Sequence, residues 1–422
     1  MHAFAHQPHT PSCSDDSAMD GSVAGLFAHQ QQKSLLKQQL TTSPIHLESD
    51  ALNALVVDTA RQIITPHSFD RDAVSKQLNS LFTHFSALYE QAELTANERR
   101  QQFIHQHGLV MAPNYCIHTI KDTLRVSRYL RAIDKAVTAL LDDEQGQLHI
   151  AYPACGPFAP LLVPLLSYYQ SQGIDGRRLR VTFIDIQPGA IKALHHLLAQ
   201  LGLQEYVHQL YCGDACQYNA PMLFDLVVVE AMQHGFSREG HLAIARHFAK
   251  QLSHTGYLIP ERIDIHAMLN VAQREYVEQW QQHGLTPQEQ HQLQAEVASE
   301  RTELGQIMSL TADSLKAMAP QHINEQQQLI EGATLRIPHL PDKADKQTLS
   351  LYTDISLFAG ETLNLYESGI THPLPDLSVC INFEPQDRHP DDTVAQSGDE
   401  LKFYYCLNGL PGFLVTKVHH HD

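Results

Sequence analysis

Two glutamates nine positions apart, Glu230 and Glu239, carry the clearest chemistry in this 422-residue sequence. They close and follow the run Phe224-Asp225-Leu226-Val227-Val228-Val229-Glu230-Ala231-Met232-Gln233-His234-Gly235-Phe236-Ser237-Arg238-Glu239. The near-continuous apolar stretch before Glu230 reads as a strand buried on both faces. A carboxylate at the carboxyl end of such a strand lies where open α/β sheets bind ligands. A second carboxylate on the following loop can face it across a pocket. Together they can hold a guanidinium or an amine, or share one proton.

Three other residues occupy equivalent places. Gly156 sits in the turn Pro153-Ala154-Cys155-Gly156-Pro157, after the strand-like run Leu148-His149-Ile150-Ala151-Tyr152. Small residues there let a ligand approach the backbone. Asp185 falls at the end of Val181-Thr182-Phe183-Ile184-Asp185-Ile186, where an acid can accept from ribose hydroxyls. Asp214, in Tyr211-Cys212-Gly213-Asp214-Ala215, ends a short third strand and is placed to face the base edge of a nucleoside.

These residues need a scaffold, and the patterning predicts one. Strand-like runs alternate with helices over about 190–202 and 240–252, the latter ending near Gly256. Such alternation implies a mostly parallel sheet covered on both sides. Residues 1–45, polar and rich in Gln, Ser and His, read as a mobile tail. Residues 46–140 read as helical. Ile117, Ile120, Leu124, Leu130, Ile133, Val137 and Leu140 recur at three- and four-residue steps. A Rossmann-like unit over 141–262 follows, then a β-rich region over 263–422 with polar helices at 268–320. Strands are expected at Leu349–Tyr352, Leu363–Tyr366, Ser378–Phe383 and Leu401–Tyr405, forming a smaller antiparallel domain.

Composition narrows the partners. The formal net charge is −18, which argues against nucleic acid or an anionic membrane surface. No apolar run reaches membrane-spanning length, and the amino terminus does not read as a secretory signal. The 28 histidines are scattered without ligand spacing, so no metal is expected. Seven cysteines at irregular spacings suit a reducing cytoplasm.

The series Gly156, Asp185, Asp214, Glu230 resembles the motifs of class I S-adenosylmethionine (SAM)-dependent methyltransferases. Within that class the chain is most similar to the protein arginine methyltransferase architecture. Lys121-Asp122-Thr123-Leu124-Arg125-Val126-Ser127-Arg128-Tyr129 resembles that family's K-D-x-x-R-x-x-x-Y helix. The Glu230–Glu239 spacing resembles its double-glutamate loop, and Gly256-Tyr257-Leu258-Ile259-Pro260-Glu261 its entry into the β domain. Thr371-His372 falls where its Thr-His-Trp loop would lie. The resemblance spans roughly 115–385. It implies SAM as cofactor, with Arg125 on the SAM carboxylate. Tyr152, Cys155 and Gly156 would lie along its methionine part, Asp185 on ribose, and Asp214 and Ala215 near adenine. Glu230 and Glu239 would hold the nucleophile, and His372 would support the pocket. It also implies a homodimer joined through the 268–320 helices.

Two departures bear on the acceptor. The turn is Ala-Cys-Gly-Pro-Phe rather than G-x-G-x-G, and Pro164 should delay the next helix. His372 is followed by Pro373, and the single Trp is Trp280, far away in the polar helices. The expected activity is therefore methyl transfer to a nitrogen or oxygen of a small molecule, peptide or protein side chain. The alternatives are aminocarboxypropyl transfer or cyclisation releasing methylthioadenosine, or SAM binding without turnover.

Overall fold

The computed structural model describes residues 49–419, apart from 66–68, 144–145, 282–283, 325–326 and 341–345. The tail expected over 1–45 lies outside the described residues. In chain order, a hairpin of β1 (Phe103–His105) and β2 (Gly108–Val110) precedes five strands. These are β3 (Leu148–Pro153), β4 (Leu179–Asp185), β5 (Val207–Cys212), β6 (Phe224–Val228) and β7 (Leu252–Ile259). Every position of β3 is buried, as a strand with neighbours on both edges and cover on both faces requires. The five form one sheet in the order β5-β4-β3-β6-β7, and every pairing is parallel. The chain steps outward from β3 to β4 and β5, then returns to its other side with β6. That reversal makes a crevice at the carboxyl ends around β3, the usual ligand site of open α/β sheets.

Connecting helices span Val163–Ser171, Pro188–Gln200 and His241–Ala249. The first begins seven residues beyond Gly156 with Pro164 in its opening turn. Proline is tolerated there because that N–H would have no helical partner. The helix Thr123–Asp143 buries Val126, Leu130, Ile133, Val137 and Leu140, a stripe at helical spacing. It is also fastened to the β-rich region. Glu361, 8% exposed, accepts from Arg128 at 3.1 Å and Lys135 at 2.7 Å.

The β-rich region comprises β8 (Arg262–Asn270), β9 (Thr302–Thr311), β10 (Gln321–His322), β11 (Gln328–Arg336), β12 (Gln347–Phe358), β13 (Glu361–Leu363), β14 (Leu374–Ile381), β15 (Thr393–Ala395), β16 (Glu400–Cys406) and β17 (Gly412–Lys417). One sheet runs β15-β14-β12-β8-β9 with β13 beside β12, and another runs β10-β11-β16-β17. The pairings are antiparallel except β14 with β15. The described residues belong to one compact unit. Among the described residues no helix is long and apolar enough to cross a membrane.

Four local expectations are corrected. Residues 103–110, within the stretch read as helical, form the hairpin; Phe103-Ile104-His105 and Gly108-Leu109-Val110 flank its turn. The 268–320 segment is only partly helical, at Ala272–Tyr276, Pro287–Glu300 and Ala312–Ala317. Its Leu304, Ile307, Met308 and Leu310 belong to β9, which pairs with β8. Gly256 lies inside β7, not at a helix end, because the preceding helix stops at Ala249. Beyond Leu363 the expected strand 363–366 turns away into a loop, where Tyr366 adopts a φ of 65°.

A buried ion pair locks the start of this region. Glu275 is 0% exposed and accepts from Arg301 Nε at 2.9 Å and Nη2 at 3.0 Å. The Tyr366 hydroxyl donates to the same carboxylate. Removing one partner of such a pair strands a buried charge. Glu275→Ala should lower unfolding free energy by about 3–5 kcal/mol in denaturant titration. Adding Arg301→Met should recover part of that loss. Wild-type stability in Glu275→Ala would show that the pair does not hold this region.

Candidate active site

The crevice at the carboxyl ends of β3 to β6 is a cavity lined by Arg125, Tyr152, Cys155, Gly156, Asp185, Asp214, Ala215, Glu230 and Glu239. They come from the carboxyl ends of β3, β4, β5 and β6, the segments that follow them, and the first turn of Thr123–Asp143, so the sheet topology itself gathers them. The tenth residue expected at the site, His372, lies elsewhere. It lines a neighbouring cleft with Lys121, Asp122, Tyr366 and Ser368.

Arg125 is the hub. Its Nε and Nη2 donate to Asp122 Oδ2 at 3.1 and 2.9 Å, and its Nη1 lies 3.3 Å from Glu230 Oε1. The guanidinium is 14% exposed and the Glu230 side chain 9%. Burial opposes the arginine's charge, but Glu230 and Asp122 more than offset it and raise its pKa. Asp122 also accepts from the Ser368 hydroxyl at 2.7 Å and the Gly369 N–H at 3.1 Å. The 368–371 loop of the β-rich region is thereby tied to Arg125. The motif contained Asp122, but only the fold reveals this bridging role.

The two glutamates differ in setting. Burial pushes the Glu230 carboxyl up, while Arg125 pulls it back. Among the described residues none forms an ion pair with Glu239, whereas Glu230 has Arg125. Burial, with Glu230 adding to it, pushes Glu239 up to about 7. Its Oε1 accepts from Gln233 Nε2 at 3.0 Å. The loop between the glutamates is tightly folded, with Gly235, Phe236 and Arg238 all at positive φ. Phe236 and Arg238 pay a steric penalty there, and packing of Phe236 against Tyr405 holds the loop in place.

Gly156 has φ +65°, a conformation natural to glycine. Its N–H donates to Asp185 Oδ2 at 2.9 Å, and the Gln187 N–H donates to Oδ1 at 2.8 Å. Burial nevertheless pushes Asp185 up to about 6. Asp214 Oδ1 accepts the Cys216 N–H at 2.9 Å. Cys155 and Cys116, both lining the cavity, are free thiols whose pKa values burial pushes well up. Among the described residues no group of three or more His, Cys, Asp or Glu side chains is placed to hold a metal ion.

Hairpin β1–β2 and the residue after it add wall positions that periodicity did not flag, including His105, His107, Leu109 and Met111. Its signal was present as two short apolar runs around Gln106-His107-Gly108. Trp280 had no local signal. It stacks on His372 with ring centroids 6.3 Å apart and planes at 16°, and meets Tyr366 edge-on at 5.0 Å. An aromatic ring thus stands beside His372 although Pro373 follows it in sequence.

No protein-family model matches the chain, and no curated protein matches it. Among solved structures it is similar to a chain of the Trypanosoma brucei PRMT1 enzyme-prozyme heterotetrameric complex with AdoHcy. The TM-score is 0.40 and the identity 12%, over 72% of this chain and 98% of that one. A likeness at that level assigns neither family nor function.

Glu239 makes the site's electrostatics measurable. Its folded value of about 7, against an ordinary 4.5, means the proton is held more tightly in the folded state. Its share of stability is full below pH about 4.5 and lost as pH rises through about 7. Across that window the wild type should lose stability relative to Glu239→Gln, read as the difference between two pH–unfolding series. Parallel series would contradict this setting for Glu239.

Proposed function

We propose that this cavity binds SAM and that the protein transfers its methyl group to a nitrogen-bearing acceptor. The observation that carries the proposal is the convergence in one crevice of Arg125, Gly156, Asp185, Asp214, Glu230 and Glu239. The residues fit the cofactor's chemistry from end to end. Arg125 retains N–H groups beyond those given to Asp122 and Glu230, and a guanidinium suits a carboxylate. Gly156 offers close backbone approach, and Asp185 offers acceptors to ribose hydroxyls. The buried Asp214 Oδ2 has no hydrogen-bond partner among the described residues and calls for a donor.

Charge supports the same reading. Among the described residues lining the cavity, Arg125 is the one Lys or Arg, against four carboxyl groups. SAM carries a carboxylate, an ammonium and a sulfonium, so an acidic cavity complements its net positive charge. When bound it supplies an electrophilic methyl on sulfur, and S-adenosylhomocysteine leaves. The protein's part is alignment and exclusion of water. Glu230, fixed by Arg125, orients an acceptor N–H. Glu239, poised near neutral pH, takes the proton that nitrogen releases. The finer identity of the acceptor, as a small molecule, peptide or protein side chain, follows from pocket shape rather than fold.

Mass spectrometry of nucleosides, after incubating pure protein with SAM and a cell-extract metabolite pool, tests the reaction. S-adenosylhomocysteine above control is expected, and Glu239→Gln should reduce it at least about ten-fold. Methylthioadenosine instead would assign transfer of the aminobutyrate arm, and no product would leave a binding protein. Arg125→Lys, which keeps charge but loses the planar fork, should weaken SAM binding about ten-fold. Unchanged affinity would remove Arg125 from the carboxylate site.

A further inference from the structure

Gln233 lies between the two glutamates in sequence, and the motif series gives it no part. Its Nε2 donates to Glu239 Oε1 at 3.0 Å and lies 3.5 Å from Met111 Sδ. A carboxylate and a thioether are both acceptors, so the NH2 end of this amide is the end that faces them. Among the described residues Gln233 is the side chain that hydrogen-bonds the Glu239 carboxyl.

The glutamine is held at both ends. Its main chain closes the neck of the loop: the Gln233 N–H donates to the Ser237 carbonyl at 3.2 Å, and the Ser237 N–H donates back at 3.5 Å. The side chain takes no part in that closure. It reaches forward to Glu239 and sideways to Met111, whose carbonyl accepts from Gln187 Nε2 at 3.0 Å. Gln187 is 3% exposed, and its own N–H donates to Asp185. Two glutamines thus bracket Met111, and a run of contacts joins the strand-end acid Asp185 to Glu239. The other charged or titratable groups near Glu239 are Glu230 on the same loop, Arg125 on the helix Thr123–Asp143 and the Cys116 thiol. Hairpin β1–β2, which packs on the loop, brings His105 and His107 to the same cavity.

We propose that Gln233 is the positioning residue for Glu239, holding this carboxyl ready to take the proton that an acceptor nitrogen releases. A donor amide binds the ionised carboxylate better than the neutral acid and so favours the charged form. Burial and Glu230 push Glu239 up, while Gln233 and Arg125 draw it back to about 7. With Oε1 held by the amide, Oε2 receives the proton. The nitrogen lone pair forms the bond to the methyl carbon, and the electron pair of the broken S–C bond stays on sulfur. A base is most effective when its pKa lies near the working pH. Without the amide, Glu239 would hold its own proton at neutral pH. This inference rests on the reading of Glu239 as proton acceptor in methyl transfer and adds the residue that keeps it ionisable.

The first test needs no turnover. Infrared titration of the full chain follows the protonated Glu239 carboxyl, assigned by its loss in Glu239→Gln. Gln233→Leu, close in size but without the amide, should raise the Glu239 midpoint by about one pH unit. Gln233→Glu, equal in shape, should raise the upper step further, because two carboxyls then share the site. The second test follows S-adenosylhomocysteine formation against pH. Gln233→Leu should lower the rate about five-fold near pH 7 and regain the wild-type rate about two pH units higher. A misfolded site would not recover with pH. An unshifted Glu239 titration in Gln233→Leu overturns the inference, as does a rate loss equal at every pH. Absence of S-adenosylhomocysteine from the wild type at all pH values would overturn the methyl-transfer reading, and the carboxyl titration would still decide the role of Gln233.

Discussion

A guanidinium taken out of water must be repaid with charge and hydrogen bonds, and Arg125 meets that demand with Asp122 and Glu230. The consequence reaches well beyond one side chain. Asp122 is also the acceptor for the 368–371 loop, and Glu230 is the residue just past β6 and Val229. One buried cation therefore ties together the helix Thr123–Asp143, the parallel sheet and the β-rich region. Glu361, paired with Arg128 and Lys135 further along the same helix, repeats the tie to the β-rich region.

Fixing Glu230 in this way determines what Glu239 can be. With the cation committed to Glu230, Glu239 faces a buried setting and a neighbouring negative charge, and its proton affinity rises into the neutral range. Two glutamates of one loop thus sit in unlike settings: one anchored by a cation, the other with a proton affinity in the neutral range. Separation of two carboxyl groups by environment is a general way to divide acid–base roles. The tightly folded loop at Gly235–Arg238 and the hairpin resting on it keep the two at their positions.

Much of this was legible in the sequence, for physical reasons. Strands buried on both faces leave continuous apolar runs, so β3, β4 and β6 were recognisable and their carboxyl ends located Gly156, Asp185 and Glu230. The spacing of Thr123–Asp143 was equally clear. What escaped notice lacked a periodic signal. Hairpin β1–β2 is too short for alternation to register, and β9 hides behind a Gln- and Glu-rich stretch. The meeting of Trp280 with His372 is a tertiary event between distant segments. The role of Asp122 depends on Ser368 and Gly369, which nothing local could pair with it. His372 was placed by motif position alone, and the fold puts it in the adjoining cleft with that loop.

A crystal structure of the protein with S-adenosylhomocysteine is the most direct test of the account. The account predicts one nucleoside in the crevice, its homocysteine carboxylate on Arg125 and its ribose hydroxyls on Asp185. A nucleoside bound away from these residues, or lying reversed with its base at Arg125, would contradict it.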